Sequence, residues 1–345
     1  MDGRRKDKRK FQVLTHIINA YVTTASPVSS KFVTEEMGGG ISSATVRNIM
    51  AELEEEGYIR QPHTSAGRIP TDSGYRQYVD FVKERLLAEK RETERLAKEY
   101  TERVRSVRDI IEQTSYLIRK ELHHAGIVMW PLMGNFHLKH LELVKLRAET
   151  VLAVLITMTS VVKNYMLRIE NDIKEADLQK ISNFINETCI DKNIADIPTY
   201  LKGLAEGEES DIRGMAGSAL RLVDMMIEED INNDIYLEGL DCFAAEPEFN
   251  DLEVARKMMR VFSNRSEIAA LMRSELPSGG MNIYIGNEND LEDLKGCSVI
   301  TTGYGLNGKI IGRIGVLGPT RMHYDHVISV ISSLSDLIST KLEEF

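Results

Sequence analysis

The sequence predicts a multidomain α+β chain: about eighty N-terminal residues forming a winged helix-turn-helix, then an α/β body interrupted by a mostly helical stretch. Three observations carry this reading. Apolar residues recur at helical spacing through residues 10–56, punctuated by serine caps and glycine stops, and then give way to a short hairpin. Strand-like segments fall into two blocks, one before residue 170 and one after residue 281. Between them, about 190–275 is acidic and reads as helix. A length of 345 residues, at roughly 100–200 residues per domain, allows two or three domains.

In the N-terminal region, Phe11, Leu14, Ile17, Ile18, Tyr21 and Val22 mark an amphipathic helix over Lys10–Thr23. Ser26-Pro27 ends it. Ser29 or Ser30 caps a short helix over Lys31–Met37, and Gly38-Gly39-Gly40 breaks the chain. A serine then caps Ala44–Glu56, which stops at Gly57. Helix, short helix, glycine turn and helix is the order of a helix-turn-helix. Tyr58–Gln61 and Arg68–Pro70 read as strands flanking a small polar tip, His63-Thr64-Ser65-Ala66-Gly67. Thr71-Asp72 caps a further helix with Tyr75, Tyr78, Val79 and Val82 on one face.

The third helix is the most informative. Val46, Ile49, Met50 and Leu53 form a core stripe, so Ala44, Thr45, Arg47, Asn48 and Ala51 lie on the opposite arc. Two alanines let the backbone approach a surface closely. Arg47 suits a bidentate pair with guanine, Asn48 with adenine, and Ala44 or Thr45 a thymine methyl. Ser42 and Ser43, with the free N–H groups of the first turn, suit a phosphate. Glu54-Glu55-Glu56 is repelled by phosphate, so the N-terminal half is the part expected in the major groove. Arg60 and Arg68 flank the hairpin tip. With His63 and Thr64, they are expected to meet the sugar-phosphate backbone or the minor groove.

Charge agrees with this polarity. Residues 1–76 hold eleven Lys and Arg against nine Asp and Glu, a net of +2, which leaves −12 for the rest of a chain totalling −10. A near-neutral, basic-tipped end on an acidic body points to a DNA-facing head. By itself the basic run Arg4–Lys10 reads as a solvated tail.

Pro27-Val28-Ser29-Ser30, Ser43–Asn48, Gly57-Tyr58-Ile59 and above all Gln61–Thr71 resemble the HrcA family of bacterial heat-inducible transcription repressors. The resemblance implies a repressor that binds an inverted repeat upstream of chaperone operons, leaves it on heat stress, and takes the chaperonin as feedback partner. It also implies a GAF-like sensor domain interrupted by an inserted dimerisation domain. The organisation expected is a head at 1–82, a helical linker at 83–120, a GAF-like domain at 121–192 and 276–345, and an inserted dimerisation domain at 193–275.

In the body, Lys83–Arg119 holds alternating charges without Gly or Pro and reads as one long helix or two. Thr93, Ala97, Tyr100, Val104, Val107, Ile111, Thr114 and Ile118 form a heptad seam, packed on its own domain in preference to a dimer partner. Strands are expected at Ala125–Trp130, Leu138–Leu146, Val151–Met158, Tyr165–Ile169, Met281–Gly286, Cys297–Gly303 and Lys309–Val316, with helices over Lys174–Glu187 and Arg321–Leu342. Two apolar stripes in the insertion, Leu220, Val223, Met226 and Ile227, then Met258, Met259 and Phe262, are candidates for a homodimer interface.

Other patterns lead away from catalysis. Gly303-Tyr304-Gly305-Leu306-Asn307-Gly308 matches a dinucleotide fingerprint, but a strand follows it where the fingerprint needs a helix, so it reads as a hairpin turn. His123, His124, His137, His140, His323 and His326 lack further ligands at metal spacing. Cys189, Cys242 and Cys297 form no C-x-x-C pair and fit a reducing cytoplasm. No apolar run suits a signal peptide or a bilayer span. No nucleophile–base pair stands out. The expectation is therefore a cytoplasmic, nucleoid-associated, dimeric DNA-binding repressor with no enzyme activity, cofactor, metal or membrane. The alternative is a small-ligand-responsive regulator with the same head.

Overall fold

The computed structural model describes residues 2–38, 41–64, 66–88, 93–100, 106–170, 172–207, 210–233, 235–244, 246–275 and 280–344. Gly39 and Gly40 of the triple glycine, Ser65 of the hairpin tip and Val104 of the seam lie outside these residues.

The head opens with α1 (Asp2–Thr24), α2 (Ser30–Glu36) and α3 (Ser43–Glu55). A two-stranded antiparallel sheet, β1 (Ile59–Arg60) and β2 (Ile69–Pro70), makes the wing, and α4 (Asp72–Ala88) closes the unit. Val13, Leu14, Ile17 and Ile18 of α1 meet Val33 of α2, Val46, Ile49, Met50 and Leu53 of α3, and Tyr75, Tyr78, Val79 and Val82 of α4 in one core. Gly57 sits at φ +78°, a left-handed stop that a side chain would strain. Thr71 caps α4, accepting from the Gly74 N–H at 3.2 Å and donating to the Gly57 carbonyl at 2.6 Å.

The linker is not one helix. It breaks into α5 (Thr93–Tyr100) and α6 (Val107–Leu122), and α6 has its own N-cap, Ser106, whose Oγ accepts from the Asp109 N–H at 3.2 Å. The chain continues through β3 (Ala125–Met129), β4 (Leu138–Arg147), β5 (Thr150–Thr157), β6 (Val162–Arg168), α7 (Glu175–Cys189), α8 (Ile197–Ala205) and α9 (Ser210–Asn233). Then come β7 (Ile235–Glu238), α10 (Leu240–Ala244), α11 (Leu252–Ser263), α12 (Arg265–Ser274), β8 (Asn282–Ile285), β9 (Cys297–Leu306), β10 (Lys309–Pro319) and α13 (Tyr324–Glu343).

The body is built on a five-stranded antiparallel sheet in the order β7-β3-β10-β9-β8. Both faces are covered, which is why β3, β9 and β10 read as nearly unbroken buried runs. Val128, Ile300, Ile314 and Val316 face α6 and α13, and the seam residues Tyr100 of α5 and Val107, Ile111, Thr114 and Ile118 of α6 are buried. Ile127, Met129, Ile235, Leu237, Val299 and Leu317 face Met258 and Val261 of α11 and Ile268, Ala269 and Met272 of α12.

A second, three-stranded sheet, β4-β5-β6, forms a separate lobe with α7, α8 and α9. This corrects the expected insertion at 193–275. β7, within a stretch read from sequence as mostly helical, hydrogen-bonds to β3, and α11 and α12 cover the five-stranded sheet. β4–β6, assigned from sequence to the same domain as β3, belong to the other sheet. The reason is non-local: four alternating residues at 235–238 become a strand because β3, more than a hundred residues upstream, presents an edge. The two apolar stripes are also placed. Val223 and Met226 are 5% and 3% exposed within the lobe's core; Met258 is 3% exposed against the sheet, whereas its stripe neighbour Met259 is 61% exposed.

The Gly303–Gly308 run is the β9–β10 hairpin: Leu306 pairs with Lys309 around Asn307 (φ +51°) and Gly308 (φ +76°), a two-residue turn. A Cβ on Gly312 would lie 2.3 Å from the Tyr304 ring, so this glycine makes room for a buried tyrosine that donates to the Met129 carbonyl at 2.5 Å. Cys189 and Cys297 are buried and Cys242 half-buried, all as free thiols. Burial pushes the Cys297 thiol up to about 12, which removes thiolate reactivity at neutral pH. Among the described residues no helix is long and apolar enough to cross a membrane.

The head is docked on the body through α4. Arg76 binds Glu288 through Nε at 2.8 Å and the Ile283 carbonyl at 2.6 Å, Lys83 donates to the Met281 carbonyl at 2.7 Å, and Asp72 accepts from Asn287. Arg321 ties the Val22 carbonyl of α1 (2.7 Å) to Glu246 (2.7 Å) and Glu248 (2.5 Å) of the body.

Candidate nucleic-acid interface

The geometry begins at Ser42. Its backbone is extended (φ −73°, ψ 151°), and its Oγ accepts from the Thr45 N–H at 3.1 Å and pairs with Thr45 Oγ1 at 2.9 Å. One orphan N–H of the first turn is thereby satisfied and the others stay open at the helix start. Val46, Ile49, Met50 and Leu53 are buried, so the opposite arc is fixed outward. Ser42, Ala44, Arg47, Asn48 and Ala51 are exposed, and Ser43 and Thr45 half-exposed. Arg47 reaches toward α2, where its Nε donates weakly to Ser30 Oγ at 3.4 Å. This contact ties the guanidinium to the edge of the helix pair while leaving its other donors outward.

The wing is assembled by two devices. The Gln61 amide donates to the Thr64 and Ala66 carbonyls, both at 2.9 Å, and folds the tip; the Ala66 N–H closes the turn on the His63 carbonyl at 2.9 Å. At its return, Arg68 and Val28 exchange backbone hydrogen bonds of 2.8 and 2.9 Å, fastening the wing to the segment before α2. Gly67 is required by that approach, since a Cβ there would stand 2.4 Å from the Val28 carbonyl oxygen. His63 and Thr64 are exposed at the tip, and Arg60 is exposed on β1.

Arg60 and Arg68 prove unlike. Arg68 is half-buried; its Nε and Nη2 both bind Glu54 Oε2 at 2.9 Å. It braces the wing against α3, whereas Arg60 stands exposed on β1. The acidic run is likewise more than a repelled end. Glu54 holds the wing, and Glu56 pairs with Lys10 of α1. Two of the three carboxylates are thus matched by cations, which limits their field at the N-terminal half of α3. Gln61, Ser30, Glu54 and Glu56 were not singled out as functional in the sequence. Gln61 and Ser30 carry a signal, as members of the runs that resemble the family.

Comparison with known proteins agrees with this head and body. The model of the HrcA protein C-terminal domain matches residues 108–328. The heat-inducible transcription repressor HrcA of Syntrophobacter fumaroxidans is 33% identical, covering 98% of this chain and 97% of its own. That of Geobacter sulfurreducens is 34% identical, covering 97% and 98%. Among solved structures, a hypothetical protein determined at 2.2 Å resolution superposes with a TM-score of 0.66 at 21% identity, over 97% of this chain and 98% of that one, and shares the fold. A family model matching well over half the chain, and full-length relatives at one-third identity, place the protein: it belongs to the HrcA family.

Proposed function

We propose that this chain is a transcriptional repressor of heat-shock genes, acting in the cytoplasm at the nucleoid. It binds an inverted-repeat operator upstream of chaperone operons, leaves it on heat stress, and is modulated by the chaperonin. The observation that carries the DNA reading is the exposed arc of α3. Ala44, Arg47, Asn48 and Ala51 face outward beyond the Ser42 cap, opposite a fully buried stripe. In this reading Arg47 and Asn48 meet base edges and Ala44 and Thr45 a thymine methyl. Ser42, Ser43, Arg60, His63 and Thr64 hold the sugar-phosphate backbone, and Arg68 positions the wing.

One recognition helix covers too few base pairs to select a promoter, so the repressor acts as a two-fold dimer. We place its interface on the outer face of the three-stranded sheet and take the lobe at 137–233 as the inserted dimer-forming unit. Across that face Val144, Leu152 and Met166 stand in register, as do Ile156 and Val162. Val144, Val162 and Met166 are 39%, 53% and 53% exposed, and Leu152, Val154 and Ile156 half-buried. An antiparallel sheet facing water normally turns polar residues outward on that side. An apolar central strand there calls for a partner, and the operator's symmetry supplies a second copy.

Footprinting of the purified protein on the organism's chaperone promoters tests the reading. Protection of two half-sites related by inversion and separated by about 34 Å of helix, or a multiple of it, is the expected result. Protection of a single site, or none at moderate salt, contradicts it.

A further inference from the structure

The body carries a cleft of about 590 Å³ where the three-stranded lobe meets the five-stranded sheet. Its walls come from both sides: the start of α6, the end of β3, β7 and the start of α12 from the main body, and β6 and the end of α9 from the lobe. Its size lies within the range of small-molecule sites, roughly 300–1,000 Å³.

The lining is unlike the rest of the body. Three cations, Arg108, Lys163 and Arg265, face one carboxylate, Glu229. The chain outside its first 76 residues has a net charge of −12, so this is a locally positive site on an acidic surface. Glu112 pairs with Arg108 at 3.4 Å, but both are exposed and such a pair is weak. Glu229 approaches the Met166 N–H at 3.4 Å, which turns part of its charge to the backbone. Aromatic surface is interleaved with the cations. Trp130 is half-buried in the wall with the Arg108 guanidinium 5.5 Å from its ring centre, and Tyr236 is half-buried nearby. A half-exposed indole beside three cations offers stacking and charge neutralisation within one site.

We propose that this cleft binds a small anion carried on a planar ring, its ring against Trp130 and its phosphate or carboxylate among Arg108, Lys163 and Arg265. Because the cleft spans lobe and main body, occupancy ties one to the other. The lobe bears the proposed dimer face and the main body holds the DNA-binding head. A bound anion therefore fixes the spacing of the two recognition helices in a dimer, and with it operator affinity.

Trp130 is the only tryptophan in the sequence, so intrinsic fluorescence of the full chain reports on the cleft directly. The protein is titrated without DNA, which keeps the result independent of the operator reading. The probes are adenosine 5′-monophosphate and benzoate, with adenosine and inorganic phosphate as ring-only and charge-only controls. The expected result is a saturable change in Trp130 emission with one of the two ring-bearing anions, at least about tenfold tighter than with either control. Saturation by the nucleotide alone assigns a phosphate, and by benzoate alone a carboxylate. Lys163→Gln combined with Arg265→Gln is expected to weaken that binding by at least about tenfold, with unchanged circular dichroism. Should the double variant not fold, Arg265→Gln alone, on the exposed first turn of α12, carries the test. Absence of saturation by both ring-bearing anions, equal binding of a control, or wild-type affinity in the variants overturns the proposal.

Discussion

Two surfaces of this chain are exposed in opposite ways. The outward arc of α3 shows two alanines, Arg47 and Asn48: little apolar area, several donors and a backbone open to close approach. The outward face of the three-stranded sheet shows Val144, Leu152, Val154, Ile156, Val162 and Met166, an apolar patch along the central strand bordered in register by His140, Glu142 and Asn164. The first surface suits a wet, charged partner, where affinity comes from phosphate neutralisation and specificity from base edges. The second suits a dry partner of its own kind, where area removed from water supplies the energy. Exposure alone does not distinguish them; side-chain chemistry does. Damage to one should therefore leave the other working.

The sharpest way to break this division is Val154→Asp, at the centre of the apolar face on the middle strand. Sedimentation should show a folded monomer. Affinity for the full inverted repeat should fall by about 10²-fold or more, since a second head no longer binds at high effective concentration. Binding of a single half-site should be unchanged. A variant that stays dimeric at micromolar concentration moves the interface elsewhere.

Within the head, Gly67→Ala comes next. The added Cβ meets the Val28 carbonyl and the Pro27 carbonyl carbon, all backbone, and cannot be relieved by a rotamer change. A loss of about 2–3 kcal/mol in head stability is expected by denaturant titration. The dimer should be intact, and a loss within experimental error would mean the wing is not fastened through Val28.

Arg60→Ala and Arg68→Ala then separate contact from brace. Arg60→Ala should weaken binding to all sequences alike and make the salt slope shallower by about one unit. Arg68→Ala should leave the slope unchanged. Its part-exposed pair with Glu54 should cost under about 1 kcal/mol of stability. Equal slopes for the two variants would erase the distinction.

The smallest expected effect concerns the docking of head on body. Burial, the largest single influence, raises the Glu288 and Glu248 carboxyls, but the hydrogen bonds and charges of Arg76 and Arg321, with a backbone N–H donor at each carboxylate, together hold both below their ordinary value of 4.5. A carboxyl depressed in the folded state stabilises above its ordinary value, and this contribution is lost as pH falls through the folded value. Protection of α4 from proteolysis should thus be constant down to about pH 4.5 and decline below it. In Arg76→Ala the Glu288 part of that decline should vanish; an identical profile would locate the acid sensitivity elsewhere.

The head was legible because its determinants are close in sequence. Ser42 caps a helix three residues away, Gly57 ends it, and the Val46–Leu53 stripe fixes its inward face. Longer links were not legible. The Arg68–Glu54 brace joins residues on different elements, and nothing in the spacing distinguishes Arg68 from Arg60. β7 is four residues long and becomes a strand only through the distant β3. The stripe at Leu220–Ile227 has the same period whether it meets a partner chain or its own lobe, and here it faces its own lobe. The dimer face proposed above centres instead on β5, whose outward Leu152, Val154 and Ile156 are as apolar as its inward side, so the sequence gave no sign of which side was covered.

Whether the N-terminal half of α3 reads bases is decided by equilibrium titration of Arg47→Ala against the operator. Arg47→Ala should lose about 1–3 kcal/mol of specific binding and relax the preference at one base pair in each half-site, with fold and dimer unchanged. A folded, dimeric Arg47→Ala variant that binds the operator with wild-type affinity and preference would contradict base reading by α3.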